Sequence, residues 1–451
     1  MSEQALNVEA AVDGQKIGRF NFVLLFWSFL AMFADGFEIS ALGLAAPHIV
    51  REWGVQAGAM GPMMSASLFG ILIGAPLFGF IGDRFGRRAA IIWSCAIFGA
   101  FTLGVVAAEN VDQITWLRFV TGIGMGGLLP NTIALNSEMA PKRARARMVI
   151  LMFMGITVGG VIPGLAAAWI VPEHGWKALF WIGGALPLLT AAGLVLFLPE
   201  SVKYLALRQG RRKELVRTLR RMRPDLAITE ATEIAAPHIR VEEKGLTGPI
   251  FSGRLAAITL LLWCAFSTTL MANYFLNSWM PLLFEAKGLD TEAAALVTSM
   301  YHVGAVLGGL TMSFLLDRWG FLAVTGMLAA AAPAMLLVGL PDASPILLGL
   351  LVALAGFCVL GGQFGDNAAA GLIYPTAYRA KGVGLAFGAG RIGSIFGPMV
   401  GAALIGAHAP LSTLLGVVAA TLAAGALSTL LLAWLSAKRF GSLRLDETEK
   451  S

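Results

Sequence analysis

Twelve long apolar stretches run along the chain, at about 20–46, 58–81, 89–108, 112–136, 148–171, 177–198, 254–284, 290–315, 321–340, 343–370, 382–407 and 410–436. A helix needs about 20 mostly apolar residues to cross a bilayer. In hydrocarbon each backbone polar group must also find its partner within the structure. Each stretch therefore reads as a spanning helix, and the expected fold is an all-α integral membrane protein. Composition agrees. Hydrophobic residues make up 57% of the 451 and charged residues 13%, against about 25% charged in a soluble domain. The first stretch is too long for a signal peptide, holds Asp35 and Glu38, and has no small-residue cleavage site. Cys95, Cys264 and Cys358 sit in apolar stretches without metal-ligand spacing. There is no Walker loop, zinc pattern or dinucleotide glycine signature in a strand–helix setting. Neither enzyme chemistry nor a cofactor or metal is expected.

Orientation follows from the basic residues. Of 33 Lys and Arg, 28 fall in alternate loops and the two tails, only Arg51, Lys177 and Lys287 fall in the opposite loops, and Arg118 and Arg391 lie inside stretches. The positive-inside rule then places both tails (1–19 and 437–451) in the cytoplasm. It also accounts for the net charge of +6 through anionic headgroups rather than nucleic acid. The longest polar stretch, 199–253, separates a first group of six stretches (20–198) from a second (254–436). Within it, Arg208 to Arg223 has the pattern of a basic amphipathic helix, or of a solvated linker on the inner membrane face.

The two groups are related. Asp83-Arg84-Phe85-Gly86 recurs as Asp317-Arg318-Trp319-Gly320 at an offset of 234. The same register carries Pro141 onto Pro375, Arg145 onto Arg379, Gly70 onto Gly304, Gly74 onto Gly308 and Gly159 onto Gly393. Parallel six-plus-six repeats suggest a transporter with its site between the halves.

Gly79-x-x-x-Asp83-Arg84-Phe85-Gly86-Arg87-Arg88 follows the second stretch, and Arg118-Phe119-x-Thr121-Gly122-x-Gly124 lies in the fourth. Together they resemble the signatures of the major facilitator superfamily. Asp35-Gly36-Phe37-Glu38, Pro199-Glu200-Ser201, Gly362-Gln363-x-Gly365-x-Asn367 and Gly388-x-Gly390-Arg391 add a resemblance to its aromatic acid:proton symporters. That resemblance implies a monomeric carrier in a bacterial inner membrane, importing a benzoate- or hydroxybenzoate-like carboxylate with protons by alternating access. Other solutes (a sugar, nicotinate, another organic ion) and a non-transporting sensor stay open. Asp366 adds an acid to the tenth stretch that the resemblance does not supply.

Ionisable groups inside a membrane need a reason. Asp35 and Glu38, three residues apart, share a helix face and are expected to face one cavity as a proton-coupling pair, or to partner an Arg. Arg118 is expected to join the coupling, or to snorkel from its position nearer the outer end. Arg391 lies near mid-membrane, where its fork suits a carboxylate, with a salt bridge to Asp366 or Asp35 as the other reading. Asn131, Tyr274, Asn277, His302, Gln363 and Asn367 are expected to supply polar or stacking contacts to a ring, although each also has a packing use. Asn273 and Trp279 are weaker candidates of the same kind. Asp83, Arg84, Arg87, Arg88, Glu138 and Arg145, with Asp317, Arg318 and Arg379 of the second copy, are expected to form gating charge pairs at the cytoplasmic face.

Overall fold

A computed structural model describes residues 6–235, 248–251, 253–340, 343–374 and 379–440. Its long helices, numbered here in chain order, are α1 (Arg19–Trp53), α2 (Gly61–Phe85), α3 (Arg87–Gly104), α4 (Val111–Met139), α5 (Lys142–Trp169) and α6 (Lys177–Phe197) in the first group. The second group holds α7 (Gly253–Ala286), α8 (Thr291–Trp319), α9 (Phe321–Val338), α10 (Pro345–Ile373), α11 (Arg379–Gly406) and α12 (Leu411–Phe440). Among the described residues, 11 of these are long and apolar enough to cross a membrane. The exception is α4, which carries Arg118, Asn131, Asn136 and Glu138 and buries the first three of them. It packs against α2 and α3, so its polar groups meet protein instead of lipid. The outer faces of the bundle are apolar: Phe314 is 77% exposed, Ile346 79% and Trp116 71%, as a surface facing hydrocarbon requires.

Several helices outrun their apolar stretches. α1 continues to Trp53, where Gly54 in a left-handed conformation (φ 62) stops it. The extra turn places Arg51 on the helix. Between α2 and α3 the chain turns at Gly86, whose φ of 106 is a region that L side chains rarely adopt. A Cβ there would also collide with the carboxylate of Glu200.

The repeat extends from sequence into contacts. A Cβ added at Gly70 would collide with the carbonyl of Phe119, and one at Gly304 with that of Ala353. Gly122 meets the Ser67 carbonyl and Gly356 that of Tyr301, while Gly159 meets Phe33 and Gly393 meets Ser267. Both members of every pair differ by the same 234 positions. The α2–α4 and α8–α10 packings are thus copies of one another, as are α1–α5 and α7–α11, and each is held close by residues that lack a side chain.

The groups meet through α1 with α7, α2 with α11 and α5 with α8. The polar contacts described between them lie towards the end remote from the chain termini. Arg51 reaches Glu285 at 3.4 Å and Thr291 at 3.3 Å, Ser65 Oγ donates to the Ile395 carbonyl at 3.0 Å, and Ser40 Oγ lies 2.9 Å from His302 Nε2.

At the termini end, the described residues after α6 up to 235 are folded and not simply a linker lying on a membrane. Its helix Arg212–Met222 buries Leu215, Val216, Leu219 and Met222 in one cluster with Val8, Ala11 and Val12 of a short N-terminal helix. Leu6–Asn7 pairs in parallel with Ile234–Ala235. The apolar face that the sequence offers to lipid is therefore occupied by protein, and the basic residues Lys213, Arg217 and Arg221 face outward.

Candidate functional site

Between the two groups lies a cavity lined by side chains of α1, α4 and α5 from the first half and of α7, α8, α10 and α11 from the second. Five pairs of repeat-related positions line it: 36 with 270, 39 with 273, 129 with 363, 153 with 387 and 157 with 391. The residues at those positions are unequal. Ile39, Leu129 and Thr157 in the first half correspond to Asn273, Gln363 and Arg391 in the second. At these three matched positions the second half is the more polar, although Asp35 of the first half and Leu270, Leu360, Phe364 and Phe387 of the second line the same space.

Arg391 is half-buried on α11, and its Nη1 donates to the Tyr274 hydroxyl at 3.3 Å. Neither Asp35 nor Asp366 forms an ion pair with it, and no described carboxylate does. The salt-bridge alternative is thus not realised in this conformation. Asp35 also lines the cavity.

Glu38 does not join Asp35. It is fully buried and receives a hydrogen-bonded ion pair from Arg118, which also donates to Ser67 Oγ at 3.2 Å. The expected shared pair is split because the offset of three residues turns Glu38 into the first half, beside the one cation on α4. Arg118, only 3% exposed, does not snorkel. It lines a smaller adjoining pocket, next to the cavity-lining residues Ile39 and Tyr274.

Deeper, towards the end remote from the termini, a chain of amides and rings joins α7 to α8. Tyr301 donates to Asn273 Oδ1 at 2.9 Å, and Asn277 Nδ2 donates to both oxygens of Asn273 at 2.9 Å. Because that amide nitrogen is engaged, Asn277 Oδ1 is the atom that accepts from His302 Nε2 at 2.9 Å. The same ring nitrogen faces Ser40 in the other half. His302 is thus a bridge across the halves as well as a cavity residue.

Gln363 and Asn367 line the cavity, as do Tyr274, Asn277 and His302. Asn131 does not. Its Nδ2 donates to the carbonyls of Phe78 and Gly127 at 3.0 and 2.9 Å, which ties α4 to α2 inside the first half. Trp279 is likewise a packing residue, buried and donating to the Pro398 carbonyl at 3.0 Å.

The charged cluster after α2 is present but wired differently from expectation. Arg87 pairs with Asp83 at 2.6 Å and with Glu138 at 3.7 Å, whereas Glu138 and Arg145 are not joined. Ser201 donates to the second oxygen of Glu138. The Arg84 carbonyl accepts from Tyr204 at 3.0 Å and Arg208 at 2.9 Å, while its guanidinium lies over Phe85. The backbone N–H of Arg88 donates to Glu200 Oε1 at 3.1 Å. Arg318 lies over Trp319, and the side chains of Asp317 and Arg379 are outside the described residues.

Glu200 is the group that sequence reasoning passed over. It is buried, accepts from Arg88 and Ser201, and burial lifts its carboxyl above the ordinary 4.5. The Pro199-Glu200-Ser201 triplet was the available signal, but nothing in it says that its acid closes onto a turn more than 100 residues earlier.

Comparison with known proteins bears on the family and the fold. Residues 28–365 and 262–450 match the sequence model of the Major Facilitator Superfamily. The 4-hydroxybenzoate transporter PcaK of Acinetobacter baylyi is 34% identical over 94% of this chain and 93% of its own. A gallate transporter of Pseudomonas putida is 34% identical over 89% of each. In fold, the chain resembles the xylose transporter XylE from E. coli in a partially occluded inward open conformation, with a TM-score of 0.71 at 17% identity over 94% of this chain and 98% of that one.

Proposed function

Because the chain belongs to the Major Facilitator Superfamily, and is thus a multi-pass membrane carrier and not an enzyme, we propose that it imports a small aromatic carboxylate by proton symport. The observation that carries this reading is the cavity between the halves, where Arg391 has no ion pair with any described carboxylate. A benzoate-like ring lies against Ile39, Leu129 and Phe153, and its carboxylate takes the Arg391 fork, whose angle the Tyr274 hydroxyl holds. Ring hydroxyls are met by the amides of Asn273, Gln363 and Asn367. The names of the relatives point to the same chemistry.

Asp35 is the carboxyl in the cavity wall and takes the proton. Glu38 keeps Arg118 neutralised within the first half. With the basic end in the cytoplasm of a bacterial inner membrane, the Arg51–Glu285, Ser65–Ile395 and Ser40–His302 contacts form the outer closure, and the two six-helix groups are the bodies that rock. The Asp83–Arg87–Glu138 chain then sits at the inner rim, where its pairs exchange as the halves move. The test is uptake of labelled ring carboxylates, nicotinate and a sugar into vesicles, with and without an imposed pH gradient. Accumulation of benzoates only when the outside is acid is expected. Uptake of the sugar alone, or none that responds to the gradient, overturns the reading.

A further inference from the structure

One acid in the second half has no part in this scheme. Asp366 on α10 is fully buried; its Oδ2 accepts from Thr269 Oγ1 at 3.3 Å, and its Oδ1 has no partner. The helices packed on α10 are α7, α8, α9 and α11. The ionisable side chains they bring into mid-bundle are Cys264 and Tyr274, Tyr301 and His302, none from α9, and Arg391, with Cys358 on α10 itself and Tyr374 just after its end. Arg391 is bonded to Tyr274, Tyr301 to Asn273 and His302 to Asn277 and Ser40, and among the described residues none of these three forms a hydrogen bond or ion pair with Asp366. An ionised carboxyl in a membrane interior without a cation is costly, and a carboxyl left so is one that carries a proton.

Its place is as telling as its isolation. Gln363, three residues earlier on the same face, lines the cavity with Oε1 unpartnered, and Asn367, the next residue, lines it too. Asp366 is thus flanked along α10 by two cavity-lining residues while it is itself bonded to Thr269. The repeat supplies a second, independent argument. The offset of 234 carries Asp35 onto Thr269 and Thr132 onto Asp366. In the first half the acid is on α1 and the hydroxyl on α4; in the second the hydroxyl is on α7 and the acid on α10. Each half thus places one carboxyl in the same layer, on exchanged helices.

We propose that Asp366 is a second proton-binding site, loaded from the cavity and emptied to the other side as the halves move. The proposal rests on the proton-symport reading for its role in transport, though not for the presence of the proton. Two measurements on the purified full-length protein test it. Infrared difference spectra between the wild type and Asp366→Asn at neutral pH should show loss of one protonated-carboxyl band, and Thr269→Val should shift that band by removing its hydrogen-bond donor. Asn keeps the shape and the acceptor, so folding is preserved. In proteoliposomes, the protons moved per substrate, found by balancing a substrate gradient against the proton gradient, should fall by about one in Asp366→Asn. Absence of a lost band, or an unchanged ratio in a variant that still accumulates substrate, overturns the proposal. A wild type that accumulates nothing against its gradient defeats the symport reading instead, and the infrared band still decides whether Asp366 holds a proton.

Discussion

Three residues apart on one helix, Asp35 and Glu38 have different surroundings and so different expected losses. Asp35→Asn should abolish uphill uptake and leave exchange of substrate across the membrane intact, as measured by counterflow in proteoliposomes. Glu38→Gln strands a buried guanidinium, and breaking such a pair costs about 3–5 kcal/mol. The expected readout is a large drop in thermal stability in detergent; unchanged melting would show that Arg118 finds another partner. Arg391 is tested by chemistry at the ligand. Arg391→Lys replaces a fork with a point charge, and losing a buried partner costs about 2–5 kcal/mol, or roughly 30-fold or more in affinity. Binding of an aromatic acid should fall by that amount while binding of its neutral amide barely changes, read by tryptophan quenching or calorimetry. Equal losses for acid and amide would make Arg391 a structural residue. The residue types of this site were legible in the sequence, because charge and amides stand out in apolar stretches. Their grouping was not, since helix periodicity cannot say whether Glu38 meets a cavity or Arg118, nor whether Asn131 faces solute or α2.

At the scale of elements, the Gly86 turn joins α2 to α3 over the carboxylate of Glu200. Burial raises that carboxyl above the 4.5 of an unfolded chain. The folded state then binds the proton more tightly, so the stability linked to this group grows as pH falls through the raised value and is complete below about 4.5. Glu200→Gln keeps an acceptor for the Arg88 and Ser201 N–H groups without the buried charge. It should melt no lower than the wild type at pH 7, and the difference should narrow on acidification. A lower melting point at neutral pH whose deficit closes in acid would show that the charge itself holds the turn. Helix number and order were readable because bilayer thickness sets a length that composition reveals. α4 was read as spanning despite its polar groups, and its burial against α2 and α3 explains how it tolerates them. The fold of the segment after α6 was hidden, because an amphipathic basic helix has the same pattern whether it lies on lipid or on the N-terminal segment.

For the whole molecule, the contacts between halves make an experiment on alternation possible. Gly43 on α1 lies so near the Asn277 carbonyl on α7 that a Cβ would collide with it. Gly43→Leu should hold that end apart and raise the labelling of cysteines placed around Arg51 by a membrane-impermeant reagent, with transport slowed far more than binding. Unaltered labelling would mean that this contact does not set the balance between states. The internal repeat was visible in the Asp83 and Asp317 motifs, but its reach into matched glycine–carbonyl contacts was not, since a glycine in a glycine-rich chain announces no partner. The unequal walls of the cavity carry a consequence for how such carriers diversify. On the proposed reading, Arg391 of the second half holds the anion while Ile39, Leu129 and Phe153 of the first shape one side of the space for the ring, so the two can drift separately. Trimming Leu129 or Phe153 would remodel the mould for the ring without disturbing the grip on its charge, and a lineage could acquire a new nutrient by repainting a single wall.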